Sequence, residues 1–107
     1  MSASIRVNAQ QKTFQYAGYS VLIRERYMPW GDLPGKPSFF DIFFIERGKE
    51  NILSLIESVD WLSLDQNSLR FLVEQGLKFA SIQNTYVPHN INWAIEEAKH
   101  HIQEYIE

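Results

Sequence analysis

Alternation of apolar and polar positions dominates the first half of the chain, and three- to four-residue spacing dominates the second. Over residues 4–8, Ile5 and Val7 fall on one side and Arg6 on the other. Over 12–16, Phe14 and Tyr16 share a side. Period two places successive side chains on opposite faces of a strand, so both runs read as half-buried strands. The short polar link 8–11 between them predicts a hairpin. Ala17-Gly18 follows, and glycine's access to positive φ leaves two readings open: a tight turn, or a bulge bending one longer strand. Residues 19–28 form the next predicted strand. Val21, Ile23, Glu25 and Tyr27 share one face, and Ser20, Leu22, Arg24, Arg26 and Met28 share the other.

The strongest single signal is the run 38–46, S-F-F-D-I-F-F-I-E, bounded by Pro37 and by Arg47-Gly48. Four phenylalanines and two isoleucines between breakers predict a buried central strand. Its even face carries Phe40, Ile42 and Phe44, and its odd face Phe39, Asp41, Phe43 and Ile45. Asp41 therefore sits between two phenylalanines, where an unpaired carboxylate costs several kcal/mol, roughly. If 19–28 is the neighbouring strand, Arg24 and Arg26 are its expected cross-strand ionic partners.

From Glu50 the period changes. Ile52, Leu53, Leu55, Ile56 and Val59 predict a helix over 49–59; the competing reading is a second hairpin arm closed by the turn at 47–49. Residues 60–64 form a connector holding Trp61. Asp65 or Asn67 is the expected cap of a second helix, whose stripe is Leu69, Leu72, Val73, Gly76, Leu77 and Ala80. Gly76 either permits close packing inside that helix or ends it, with 77–82 then extended. Residues 81–89 read as irregular. Asn90 caps a last amphipathic helix over 90–107, about 27 Å long at 1.5 Å per residue, with Ile91, Ala94, Ile95, Ala98, Ile102, Tyr105 and Ile106 in its stripe.

Strands followed by helices predict an α+β fold in one domain, 1–107. The expected architecture is an N-terminal antiparallel sheet of three to four strands, covered on one face by two to three C-terminal helices. The other face is expected to be partly wet.

Composition narrows the function classes. At 107 residues and 45% hydrophobic, the chain can bury a core without staples. The net charge of −3 and scattered basic residues argue against a sequence-independent grip on nucleic acid. The tyrosines and phenylalanine of the N-terminal strands (Phe14, Tyr16, Tyr19, Tyr27) accordingly read as packing groups, not base-stacking platforms. With no cysteine, disulfides, thiolate metal sites and a Cys nucleophile are excluded. No apolar run approaches a membrane span, and no basic-then-apolar leader opens the chain. The expectation is a soluble, cytoplasmic protein without cofactor or metal.

Candidate chemistry is sparse. Glu25, Asp41, Glu46 and Lys49 loosely resemble the acid-and-lysine set of metal-dependent nucleases, in which carboxylates hold Mg²⁺ and a lysine assists water. The Glu46–Lys49 spacing of three, across a glycine, departs from the usual two. His89, His100 and His101 lack ligand spacing, because adjacent helical residues point about 100° apart. Ser20 lacks the flanking glycines of a nucleophile elbow.

The loop 29–37, P-W-G-D-L-P-G-K-P, offers Trp30 and Leu33 as contact groups on a backbone stiffened by proline. With Tyr27 and Trp61 they form the expected binding set, since aromatic anchors dominate protein interfaces. The expected function is non-enzymatic: a protein-binding or regulatory module whose partner is another protein or a second copy of itself. The alternatives are a nuclease-like enzyme or enzyme subunit using the acidic set, and a small-ligand regulatory domain with a pocket between sheet and helices holding Asp41 and Arg24.

Overall fold

The computed structural model describes residues 10–28, 36–59, 63–84 and 89–107. They form an α+β fold in the order β1 (Gln11–Tyr16), β2 (Tyr19–Arg26), β3 (Phe39–Glu46), α1 (Glu50–Glu57), α2 (Gln66–Glu74), β4 (Lys78–Gln83) and α3 (Ile91–Ile106). The four strands make one antiparallel sheet in spatial order β1-β2-β3-β4. The predicted strand at 4–8, most of the loop at 29–37, residues 60–62 of the connector at 60–64 and residues 85–88 of the segment expected to be irregular lie outside the described residues.

Ala17-Gly18 is a turn, not a bulge. It joins β1 to β2 through two residues that both have positive φ, 53° and 86°. Positive φ at both central positions is what a two-residue type I′ hairpin requires, and its twist matches that of the flanking strands. In the resulting register Arg24 lies opposite Gln11 on one side and Asp41 on the other.

The run 38–46 supplies β3, and it is an interior strand as expected, buried from Phe40 to Ile45. Both of its faces are apolar, and both are covered. The helices are distributed over the two faces of the sheet instead of one. α3 lays Ile91, Ala94, Ala98 and Ile102 over Val21, Ile23, Phe40, Ile42 and Phe44. α1 and α2 lay Ile52, Leu53, Ile56 and Leu72 over Leu22, Phe43 and Ile45 on the opposite side. Each fully buried Ile or Phe contributes about 1.5–3 kcal/mol relative to exposure.

Local chemistry explains where each helix stops and starts. The α1 reading prevails over the hairpin arm because Gly48, at φ 97°, turns the chain off the sheet and Glu50 accepts the Gly48 N–H. α2 begins at Asp65, whose Oδ1 accepts the Ser68 N–H at 2.7 Å. It ends at Gly76, φ 105°: Gly76 N–H reaches Val73 O at 2.9 Å and Leu77 N–H reaches Leu72 O at 3.1 Å. This is the Schellman pattern, and its usual apolar contact is present, since Leu72 and Leu77 share a core cluster. The helical stripe therefore does not continue through Leu77 to Ala80. The extended alternative holds, and β4 also takes in residues 81–83 of the segment expected to be irregular.

α3 starts where Asn90 Oδ1 accepts the Asn92 and Trp93 N–H groups at 3.0 and 3.2 Å. Just upstream, the buried Asn84 ties three elements together. Its Nδ2 donates to Pro37 O at 3.0 Å and to His89 O at 3.3 Å, and its Oδ1 accepts the His89 N–H at 2.9 Å. The Asn84 N–H extends the β3–β4 ladder to Ser38 O. No helix among the described residues is long and apolar enough to cross a membrane.

Candidate functional site

α1 and α2 each bury one stripe on the sheet and leave a second row of apolar groups turned away from it. On α1 the buried row is Ile52, Leu53 and Ile56; Leu55, and Val59 just beyond the helix, stand four residues apart beside it and remain 52% and 38% exposed. On α2 Leu72 is buried, while its neighbour Phe71 is 51% exposed. The two rows border a groove of about 460 Å³, lined also by the buried Ile56 and Leu72 and by Leu64. Its polar lining comes from Ser58, Asp65, Asn67 and Ser68. Asp65 is the one charged side chain in that described lining, and the Ser68 backbone N–H, with the Ser68 hydroxyl, holds its carboxyl below the ordinary range. An apolar groove with a few polar groups at its margin can seat hydrophobic side chains of a ligand.

A second hollow, of about 250 Å³, opens between β1, β2 and α1, lined among others by Thr13, Gln15, Ser20, Glu50 and Glu57. Here Ser20 Oγ donates to Glu50 Oε2 at 2.7 Å. The Gly48 N–H and then the Ser20 hydroxyl lower the Glu50 pKa. Those contacts fasten the start of α1 to β2. Ser20 is thereby a donor to the same carboxylate that accepts the Gly48 N–H.

The acidic set of the nuclease alternative is not assembled. Asp41 is 1% exposed and faces α1 and α2; Arg26 holds it in a bidentate pair, and Ser81 Oγ donates to it at 2.6 Å. Glu25 lies on the other face, opposite Phe40, where its Oε1 accepts the Gln10 N–H and the Tyr27 hydroxyl. Glu46 is exposed six residues further along β3 from Phe40, about 20 Å away at the rise of a strand. Lys49 Nζ donates to Gln75 O. Groups divided between two faces and two ends of a sheet cannot share one Mg²⁺. Among the described residues no cluster of three His, Asp or Glu side chains has metal-binding proximity.

The small-ligand alternative asked for a pocket with Asp41 and Arg24. Arg24 instead reaches across to α1, donating to Val59 O at 2.8 Å and to Ile56 O, and also to Gln11 Oε1 at 3.0 Å. Neither Asp41 nor Arg24 lines either hollow.

Of the expected binding set, Trp30, Leu33 and Trp61 lie outside the described residues. Tyr27 is half-buried beside Glu25, on the α3 side of the sheet, away from the groove. Partial burial, then the negative charge and hydrogen bond of Glu25, raise its pKa. His89 stacks on Trp93 with ring centroids 4.0 Å apart, as part of the packing at the start of α3. The groove residues Leu55, Val59 and Phe71 were not singled out from sequence as contacts. Their signal was present: the apolar positions 52, 53, 55, 56 and 59 span a wider arc than one buried face needs.

No family model, no curated protein and no solved structure gives a significant match to this chain.

Proposed function

We propose that this protein is a non-enzymatic protein-binding module whose contact surface is the groove between α1 and α2. The observation that carries the reading is the exposure of Leu55, Val59 and Phe71 around one concavity, next to a fully formed core. Contiguous exposed apolar groups with a polar rim mark interaction sites on otherwise well-packed proteins. The reading rests as well on the engagement of Asp41, Glu25 and Lys49 in internal hydrogen bonds.

The test places a photo-crosslinking amino acid at Asn67, on the groove rim, in the full chain expressed in its own cells. A discrete protein adduct is expected, and it disappears when Phe71→Glu or Leu55→Glu is added. The same probe at Glu97, on α3, gives no such adduct. Absence of an adduct at position 67, or an adduct indifferent to both substitutions, overturns the reading.

A further inference from the structure

We infer that β4 is a self-association edge, which pairs antiparallel with β4 of a second copy about a two-fold axis at Ser81. The inference concerns a surface apart from the α1–α2 groove and stands independently of the reading given to that groove. Three features of the strand lead to it.

The first is backbone direction. Along an antiparallel strand, successive residues turn their N–H and C=O groups alternately to one neighbour and to the other. The Arg47 N–H reaches Gly18 O in the β2–β3 ladder, and the Asn84 N–H reaches Ser38 O in the β3–β4 ladder. Stepping by two from these bonds, the odd residues of β3 face β2. Its even residues, Phe40, Ile42 and Phe44, face β4, where they meet Ile82, Ala80 and Lys78. Residues 79, 81 and 83 therefore turn their backbone groups away from β3. Among the described residues β4 is the last strand on that side of the sheet.

The second is the lack of a guard. Edge strands are ordinarily protected by charges, prolines, bulges or a covering helix. β4 reads K-F-A-S-I-Q, pairs with β3 without a bulge, and holds no proline and no acidic residue. Its one charge, Lys78, stands at the first position and turns back: Nζ donates to Gly76 O at 3.1 Å and lies 5.0 Å from the centre of the Tyr105 ring. α1 and α3 centre on β2 and β3, not on β4. The Ser81 hydroxyl is used inward, on Asp41, so the pairing draws on the Ser81 backbone alone.

The third is self-complementarity. An axis at Ser81 sets Ser81 against Ser81 of the second copy as a hydrogen-bonded pair, Ala80 against Ile82, and Phe79 against Gln83. No like charges meet across the pair, although each copy carries a net −3. Ala80 and Ile82 lie on the α3 side, where Ile82 already packs at the margin of the core, so the pairing carries that apolar layer across the axis. Moving the axis to Ala80 would instead set Lys78 against Ile82. The two-fold arrangement uses up both β4 edges, and assembly stops at two copies.

The experiment follows the full-length, isotope-labelled protein from dilute to concentrated solution by sedimentation and by NMR. The mass should rise from one chain and level off at two, with concentration-dependent amide shifts centred on 79–83. In a sample mixing labelled and unlabelled chains, Ala80 Hα should show an intermolecular Overhauser contact to Ile82 Hα, because facing residues of a non-hydrogen-bonded pair approach most closely. Gln83→Pro removes an outward N–H that β3 does not use, so the chain should stay folded while the association constant falls tenfold or more. Gln83→Lys keeps the backbone and adds an ordinary edge guard, and it should weaken association as well. If the proline variant does not fold, Gln83→Lys and the Overhauser contact decide. A one-chain mass at every concentration, growth beyond two copies, shifts centred on the α1–α2 groove or elsewhere, absence of the Ala80–Ile82 contact in the dimer, or association indifferent to Gln83→Lys overturns the inference.

Discussion

Asp41 is paired with Arg26, its diagonal neighbour in the β2–β3 register, in which Arg24 lies directly opposite it. Arg26 Nε and Nη2 reach the two carboxylate oxygens at 2.8 and 3.0 Å, and the guanidinium lies 4.3 Å from the centre of the Phe39 ring. A planar fork both grips a carboxylate and stacks on a ring, which a lysine cannot do. Arg24, one turn of the pleat away, crosses to the carbonyl end of α1. Two arginines on one strand face thus hold two different structures together.

Removing one partner of this pair should be costly. Asp41→Ala leaves Arg26 and the Ser81 hydroxyl without their acceptor, a loss of about 3 kcal/mol. The double variant Arg26→Met with Asp41→Leu removes both charges and should recover most of that loss. Urea midpoints of the three proteins check the prediction; a double variant no better than Asp41→Ala contradicts it.

The hairpin turn contains an avoidable strain. Ala17 holds φ 53°, a region in which a Cβ costs about 1–2 kcal/mol. Asparagine tolerates it and is favoured before glycine in type I′ turns. Ala17→Asn should stabilise the protein by about 0.5–1 kcal/mol, read as a rise in melting temperature. No change, or a fall, would count against the turn as described.

Asn84 is expected to be the most sensitive neutral polar residue described. Alanine there leaves Pro37 O and both polar groups of the His89 backbone without partners in a mostly buried place. At about 1–3 kcal/mol for each unpaired buried group, with partial relief by water, the loss should be about 3 kcal/mol. Amide exchange should rise at His89 and at the start of α3, next to the lost contacts, as well as globally.

Two carboxyls tie stability to acid. The Gly48 N–H and Ser20 hydroxyl lower the Glu50 pKa, and the Ser68 N–H and hydroxyl lower that of Asp65. Each group then binds its proton less readily folded than unfolded. Its contribution is full above the ordinary carboxylate values and is lost as pH falls through its lowered value. Urea midpoints followed from about pH 7 to pH 3 should decline less steeply for the Glu50→Gln, Asp65→Asn variant than for the parent. Parallel profiles would show that these hydrogen bonds do not distinguish the two protonation states.

Much of the fold is legible in the chain because its signals are strong and local. The β3 run and the α3 stripe with its Asn90 cap each declare themselves within a dozen residues, and the α2 cap is narrowed to Asp65 or Asn67, of which Asp65 serves. Gly76 does not, since a glycine in a periodic stripe looks the same whether it packs or terminates; the outcome depends on Leu77 turning back onto Leu72. The burial of both sheet faces was readable in principle, because Phe39, Phe43 and Ile45 leave the odd face of β3 nearly as apolar as the even one. The candidate site was harder. Sequence reasoning favours tryptophans in connectors as contact groups, whereas Leu55 and Phe71 count as ordinary stripe residues until the tilt of each helix on the sheet is known.

The strand pairing carries a consequence for how the protein is made. β3 is sandwiched between β2, which precedes it, and β4, whose residues lie 34 to 44 positions downstream of their partners, from Phe44–Lys78 to Phe39–Gln83. During synthesis the greasiest segment of the polypeptide therefore waits with one backbone edge open while some forty more residues leave the ribosome. Sticky edges of this kind recruit other nascent chains. Asp41, the third residue of F-F-D-I-F-F-I, interrupts that hazard before its ionic bond exists. The same carboxylate thus guards the newborn chain and later locks the finished sheet.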